Sequence, residues 1–141
     1  MAAKMRWGIL ATGWIADLFT KDLILTGHAV TAVGSRSQAS ADRFAKALGI
    51  QTAHGSYEAL VADPNVDIIY IATPHPQHAS AAKLALNAGK HILVEKAFTL
   101  NAAEAAEIVT LAQAKGLVVL EAMWTRFLPH MKRIREILDA G

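Results

Sequence analysis

The sequence predicts an α/β fold, a doubly wound and mainly parallel (Rossmann) sheet with helices on both faces, and three observations carry that prediction. Apolar, partly β-branched runs recur at residues 5–10, 29–34, 67–73, 91–95 and 117–121. Segments with helical spacing separate them, which is the alternation of a strand–helix repeat. Runs such as Ile68-Ile69-Tyr70-Ile71 and Leu117-Val118-Val119-Leu120 lack the period-two pattern of a half-exposed strand, so they read as strands buried on both faces.

The first run leads into Ala11-Thr12-Gly13-Trp14-Ile15-Ala16, a small-residue turn that opens a helix. At a helix N-terminus the first backbone N–H groups lack carbonyl partners and the aligned peptide dipoles leave a partial positive charge, so a diphosphate can sit there. Gly13 lets the backbone approach such a ligand, and small Ala16 lets the helix pack close to its strand. Against the dinucleotide pattern G-x-G-x-x-G/A, Ala11 stands where the first glycine is expected. A ligand-free strand–turn–helix is the other reading of the same residues.

The second run ends Val33-Gly34-Ser35-Arg36-Ser37, where such folds read the adenosine ribose. An acid there would bond the 2′-hydroxyl and repel a phosphate; none is present. Ser35 and Ser37 offer hydroxyls and Arg36 a planar fork, which favours NADP over NAD. The alternative is an exposed arginine ahead of a Ser-capped helix beginning near Gln38.

The run at 67–73 ends Ala72-Thr73-Pro74-His75-Pro76-Gln77-His78, at the sheet edge where open α/β folds bind ligands. Two prolines stiffen that loop. His75 and His78 are three apart, but no cysteine or nearby acid completes a metal site, and both read as polar loop residues; the alternative has His78 merely starting a helix over His78–Asn87. The next run delivers Glu95-Lys96-Ala97 to the same edge. A partly desolvated lysine can exchange a proton with a substrate hydroxyl, and Glu95 can bond a ribose hydroxyl; a surface ion pair is the alternative. Adjacent strand residues point to opposite faces, so sharing one pocket does not follow from the spacing. The last run leads into Glu121-Ala122-Met123-Trp124-Thr125-Arg126-Phe127, where Arg126 can reach a phosphate or carboxamide and Trp124 can cover an apolar face, with core packing and a surface cation as the alternative.

The helices carry their own punctuation. Asn101 caps a helix over Ala102–Lys115 with Glu104 reaching back, Gly116 ends it, and Gly49 and Gly89 end the helices before. Pro129 opens a last helix on which Met131, Ile134, Ile137 and Leu138 form one apolar stripe.

At 141 residues the chain reads as one domain over residues 1–125, followed by a terminal helix over 126–141, and a complete two-domain enzyme does not fit. Although 53% of residues are hydrophobic, no apolar run approaches the roughly 18 that a spanning helix requires. The segment Met-Ala-Ala-Lys-Met-Arg lacks a signal-peptide core, so the expected setting is cytoplasmic, away from membranes. The lack of cysteine excludes disulfides and thiolate chemistry, and a formal charge of +2 argues against a nucleic-acid partner. The basic cluster Lys132, Arg133 and Arg135 shares its helix with Glu136 and Asp139 and reads as a solvated face.

Taken in order, residues 8–16, Ser35-Arg36-Ser37, Asp63-Pro64-Asn65-Val66-Asp67 leading into Tyr70-Ile71-Ala72-Thr73-Pro74, Glu95-Lys96 and residues 121–127 resemble the N-terminal domain of the glucose–fructose oxidoreductase, inositol dehydrogenase and MocA family. The likeness is greatest to its NADP-dependent branch, which includes the trans-dihydrobenzene-diol dehydrogenases. The resemblance implies that Thr12, Gly13 and Trp14 line a pyrophosphate and that Ser35 and Arg36 hold a 2′-phosphate. It implies that Thr73, Pro74 and His78 wall the cofactor, that Glu95 lies near the nicotinamide ribose, that Lys96 transfers a proton, and that Arg126 touches the nicotinamide end; Ala11, Ile15, Ser37 and His75 are expected among the cofactor-binding residues beside them. The implied substrate is a sugar, cyclitol or diol. Ala11 replaces the family's glycine, His75 its common asparagine, and Ala97 the proline of Glu-Lys-Pro. The family's second domain begins about where residues 138–141 lie, so the chain reads as the cofactor half, with little turnover alone and with apolar surface that favours a homo-oligomer. A dinucleotide-binding sensor or assembly module without chemistry is the alternative.

Overall fold

A computed structural model describes residues 4–141; Met1 to Ala3, part of the segment read as lacking a signal sequence, lie outside them. The chain runs β1 (Arg6–Leu10), α1 (Trp14–Leu25), β2 (Ala29–Gly34), α2 (Gln38–Leu48), β3 (Thr52–His54), α3 (Tyr57–Val61), β4 (Ile68–Ile71), α4 (His78–Asn87), β5 (His91–Val94), α5 (Ala102–Lys115), β6 (Val119–Glu121) and α6 (Pro129–Ala140). Turns of 3₁₀ helix occupy His75–Gln77 and Trp124–Phe127. All strands pair in parallel, in the order β3-β2-β1-β4-β5-β6. The order reverses between β1 and β4, so the connections after these strands leave in opposite directions and open a crevice at the carboxyl edge.

Two apolar clusters, one on each face, make the layers. Leu10, Ile69, Ile71, Ile92 and Val94 pack with Leu60 of α3, Leu86 of α4 and Ile108 of α5. Ile9, Val33 and Tyr70 pack on the other face with Ala16 and Leu23 of α1 and Phe44 of α2. Ile69, Tyr70 and Ile71 have no exposed surface, as expected for a central strand covered twice. Ala16 is equally buried, so its small side chain sets how closely α1 approaches the sheet. Gly34 does the same for α3: a Cβ there would lie 2.7 Å from Leu60 Cβ.

The structure departs from the expectation in four places. The three-residue β3 carries no apolar run, and pairing with β2 rather than hydropathy makes it a strand. The last run is not covered twice: Val118, just before β6, and Leu120 within it are 60% and 51% exposed, because β6 is an edge strand with one face open. The apolar stripe on α6 exists, yet none of its residues is buried, and the helix packs chiefly against the preceding 3₁₀ turn. Ser37 stands at the start of α2 without a side-chain capping bond.

Elsewhere the local signals hold. Asn101 Oδ1 accepts from the Glu104 N–H at 2.9 Å, and Glu104 reaches back to the Leu100 N–H, one residue earlier than a standard capping box. Gly49 and Gly116 close their helices in the left-handed region.

Candidate functional site

The turn after β1 is built around an open helix end. The N–H of Ala11 donates to Gly34 O at 2.9 Å, which holds the turn against the tip of β2. Ala11 adopts φ of +90°, a conformation that L side chains seldom take and that glycine reaches freely. Gly13 begins α1 in extended backbone with no side-chain cap, and the Asp17 N–H is the first to reach back to Gly13 O, at 3.1 Å. The N–H groups of the first turn therefore have no carbonyl partners within the helix. A Cβ at Gly13 would meet no heavy atom within 4 Å, so this glycine matters through what approaches it from outside.

Two clefts flank that helix end and share Thr73. The first, about 440 Å³, lies between Ala11-Thr12-Gly13, Ser35-Arg36 and Ala72-Thr73-Pro74. Its lining has one guanidinium, Arg36, and no carboxylate. Ser35 is buried with its N–H on His54 O, while Arg36 and Ser37 are exposed. Tyr57, from the start of α3, also lines this cleft; burial pushes its hydroxyl above the ordinary tyrosine range, and Arg36 beside it opposes that shift.

The second cleft, about 220 Å³, is lined by Trp14, Ile15, Thr73, His75, His78, Glu95 and Lys96. Glu95 and Lys96 do share a pocket, because β5 ends at Val94 and the alternation of a strand ends with it. They form no ion pair: Glu95 accepts from Tyr70 Oη at 2.6 Å and from the Lys96 N–H at 3.1 Å. Burial, with help from the Glu95 carboxylate, raises the Tyr70 hydroxyl well beyond its ordinary value, so Tyr70 is a permanent donor there.

His78 is not the polar loop residue expected: it is the first residue of α4 and 1% exposed, buried because its ring sits between two backbone carbonyls, with Nδ1 2.9 Å from Ala97 O and Nε2 3.0 Å from Thr73 O. A neutral imidazole can donate to one of these carbonyls only. His75 Nε2 lies 3.0 Å from Thr99 O. The Lys96–Ala97 peptide is cis, and the Phe98 N–H donates to Glu121 Oε1 at 2.9 Å.

The crevice thus collects the residues singled out in the sequence for the cofactor except three. Ser37, Trp124 and Arg126 line neither cleft; Trp124 and Arg126 are exposed, and the Arg126 carbonyl accepts from Arg135. Sequence reasoning missed Tyr57, Tyr70 and Glu121. Tyr57 was hidden because neither β3 nor α3 stands out in hydropathy, although Ser56 caps α3 through the Ala59 N–H. Tyr70 and Glu121 look like strand residues, and only the fold shows what they hold.

The residues present suit a dinucleotide on an observation independent of any likeness. Thr73 Oγ1 is buried with no hydrogen-bond partner among the described residues, and Thr73 lines both clefts together with the residues that begin α1. Fold and crevice together define a dinucleotide-binding domain of the doubly wound class.

Residues 5–123 match the family model described as the oxidoreductase family with an NAD-binding Rossmann fold, that of glucose–fructose oxidoreductase, inositol dehydrogenase and MocA, and the chain belongs to this family. It is 46% identical to mouse trans-1,2-dihydrobenzene-1,2-diol dehydrogenase over 97% of its own length and 42% of that protein's. It is also 46% identical to D-xylose 1-dehydrogenase (NADP(+)) of Hypocrea jecorina, covering 97% of this chain and 38% of the relative. Among solved structures, a 3-ketoreductase from Actinomadura kijaniata in complex with NADP and TDP-benzene superposes with a TM-score of 0.90 at 30% identity, over 99% of this chain and 43% of that one. The chain therefore spans about two fifths of the length of these relatives.

Proposed function

We propose that this chain is the NADP(H)-binding part of an oxidoreductase that transfers hydride between nicotinamide and a CH–OH carbon of a sugar, cyclitol or diol. The observation that carries the reading is the pair of clefts meeting at the unpartnered Thr73 hydroxyl, with Arg36 and no carboxylate at one end and Lys96 at the other. The amides of Thr12 to Ile15 would hold the pyrophosphate, and Ser35 with Arg36 the 2′-phosphate. Arg36 binds a phosphate as a fork and costs little to leave exposed when no phosphate is there. Glu95, oriented by Tyr70, would accept from a ribose hydroxyl, and Lys96 would exchange the proton of the substrate hydroxyl. When bound, the nicotinamide supplies or accepts the hydride, and the chain's own part is to position and to move the proton.

The relatives' names support the dinucleotide and the CH–OH chemistry: one is an NADP(+) dehydrogenase of D-xylose, another a diol dehydrogenase, and the ketoreductase was solved with NADP. They favour an enzyme over a dinucleotide sensor without chemistry. The reading extends to a cytoplasmic, self-associating protein whose terminal segment 126–141 leads away from the Rossmann unit. The cysteine-free composition supports that setting, and the open stripe of α6 supports the association. No helix among the described residues is long and apolar enough to cross a membrane.

The experiment is a titration of the chain with NADPH and NADH, followed by fluorescence. NADPH is expected to bind about tenfold or more tightly than NADH, and Arg36→Ala to remove most of that difference, as loss of a charge-assisted hydrogen bond implies. Equal affinities, or no binding of either, would overturn the proposal.

A further inference from the structure

Among the described residues the Lys96 side chain has no partner of its own to hold it, so the backbone that carries it sets where it lies. No hydrogen bond or ion pair of its ammonium occurs among the described residues, whereas the backbone on either side is tied down. The Ala97 carbonyl faces His78 Nδ1 at 2.9 Å, and the Phe98 N–H donates to Glu121 Oε1 at 2.9 Å. That carbonyl and that N–H belong to one peptide group. It is gripped at its oxygen by an imidazole from the start of α4 and at its nitrogen by a carboxylate from the end of β6.

β5, which delivers Lys96, lies between β4 and β6, so the two grips come from opposite sides. With the imidazole proton on Nδ1, a donor meets an acceptor at each end, which orients the whole amide plane and limits ψ of Ala97 and φ of Phe98. An alanine at 97 does not fix its own φ as a proline ring would, so the constraint has to come from outside the residue. His78 also faces the Thr73 carbonyl at 3.0 Å, which links the position of Lys96 to the wall shared by both clefts.

We propose that His78 and Glu121 are positioning residues for Lys96, a clamp that closes on the Ala97–Phe98 peptide and sets where the ammonium meets its ligand. The inference rests on the reading that Lys96 serves the cofactor-bound reaction, and the test separates the two. Without nucleotide, Glu121→Ala is expected to speed hydrogen exchange at the Phe98 amide about tenfold or more, as loss of a bond to a charged acceptor implies. Glu121→Gln keeps an acceptor oxygen and is expected to stay within about threefold of the parent chain.

The second readout is acetylation of Lys96 by limiting acetic anhydride, measured by peptide mass spectrometry against exposed Lys46 and Lys132. Saturating NADPH is expected to protect Lys96 about tenfold in the parent chain and in Glu121→Gln, but less than about threefold in Glu121→Ala and His78→Ala. A purely structural role for the clamp would leave that protection unchanged. Parent-like exchange and protection in Glu121→Ala, or equal loss in Glu121→Gln, overturns the clamp. A slowly exchanging Phe98 amide in a parent chain whose Lys96 gains no protection from bound NADPH overturns the role of Lys96 instead, and the inference with it.

Discussion

The two edges of the parallel sheet treat their polar groups in opposite ways. At the amino edge, Arg6 at the start of β1 makes a bidentate pair with Asp67 just before β4, at 2.9 and 2.7 Å, and adds a contact to Asn65. Lys90, just before β5, donates to the carbonyls of Asp63 and Val66. The charged groups there meet partners within the chain, although the buried Trp7 Nε1 beside Arg6 has none among the described residues. At the carboxyl edge the Thr73 hydroxyl, the first amides of α1, the Arg36 fork and the Lys96 ammonium point into open clefts, and Ala11 holds a left-handed backbone. Unmet hydrogen bonds and strain gathered at one edge mark where a ligand belongs, whereas the same residue types paired off at the other edge contribute stability.

The contrast can be broken most severely at Lys96. In an intact enzyme of the family, replacing the lysine aligned with Lys96 by methionine is expected to lower kcat by about 10²- to 10⁴-fold, with the Kd for NADPH within about threefold. Steady-state kinetics beside a binding titration would check this, and unchanged turnover would remove the proton-transfer role.

Thr73→Val probes the open edge in both directions. The isosteric change is expected to weaken NADPH binding about fivefold while raising the unfolding free energy by about 1 kcal/mol, because it deletes a buried hydroxyl with no partner in the chain. A paired hydroxyl at the amino edge would lose stability on the same change.

Acid titration addresses the amino edge. The hydrogen bonds and charge of Arg6 hold the Asp67 carboxyl at about 2, below its unfolded value near 4. Its contribution is therefore complete above about pH 5 and is lost as the pH falls toward about 2. Because the two side chains are 39% and 35% exposed, solvent screening reduces that contribution to about 1 kcal/mol. Unfolding free energies from urea titration of the parent and Asp67→Asn chains should differ by that amount at pH 7 and converge in acid, with NADPH affinity unaffected.

The smallest effect is at the turn. Ala11→Gly relieves a left-handed backbone costing about 1–2 kcal/mol and adds chain entropy costing about 0.5–1 kcal/mol, for a net gain of about 0.5 kcal/mol in urea unfolding.

Much of the fold was legible because burial leaves a periodic trace. The strands at residues 29–34 and 91–95 and the helix Ala102–Lys115 can be placed from apolar runs, Asn101 and the closing glycines. β3 could not, since three half-buried residues carry no pattern and become a strand only by pairing. The exposure of Val118 and Leu120 was invisible for a related reason: an apolar run reads the same whether or not a partner covers it.

What this sequence determined alone is the set of parts: the alternation of strands and helices, the small-residue turn at residues 11–13, the acid-free tip with Arg36, and the lysine after β5. These follow from local chemistry, where side-chain size, periodicity and capping act within a few residues. The tertiary structure decided which polar groups stay unpaired and what holds Lys96. The partners of Thr73, Glu95 and Phe98, present or missing, come from strands brought together by sheet order, and hydrogen bonding over such separations leaves no signal in neighbouring residues.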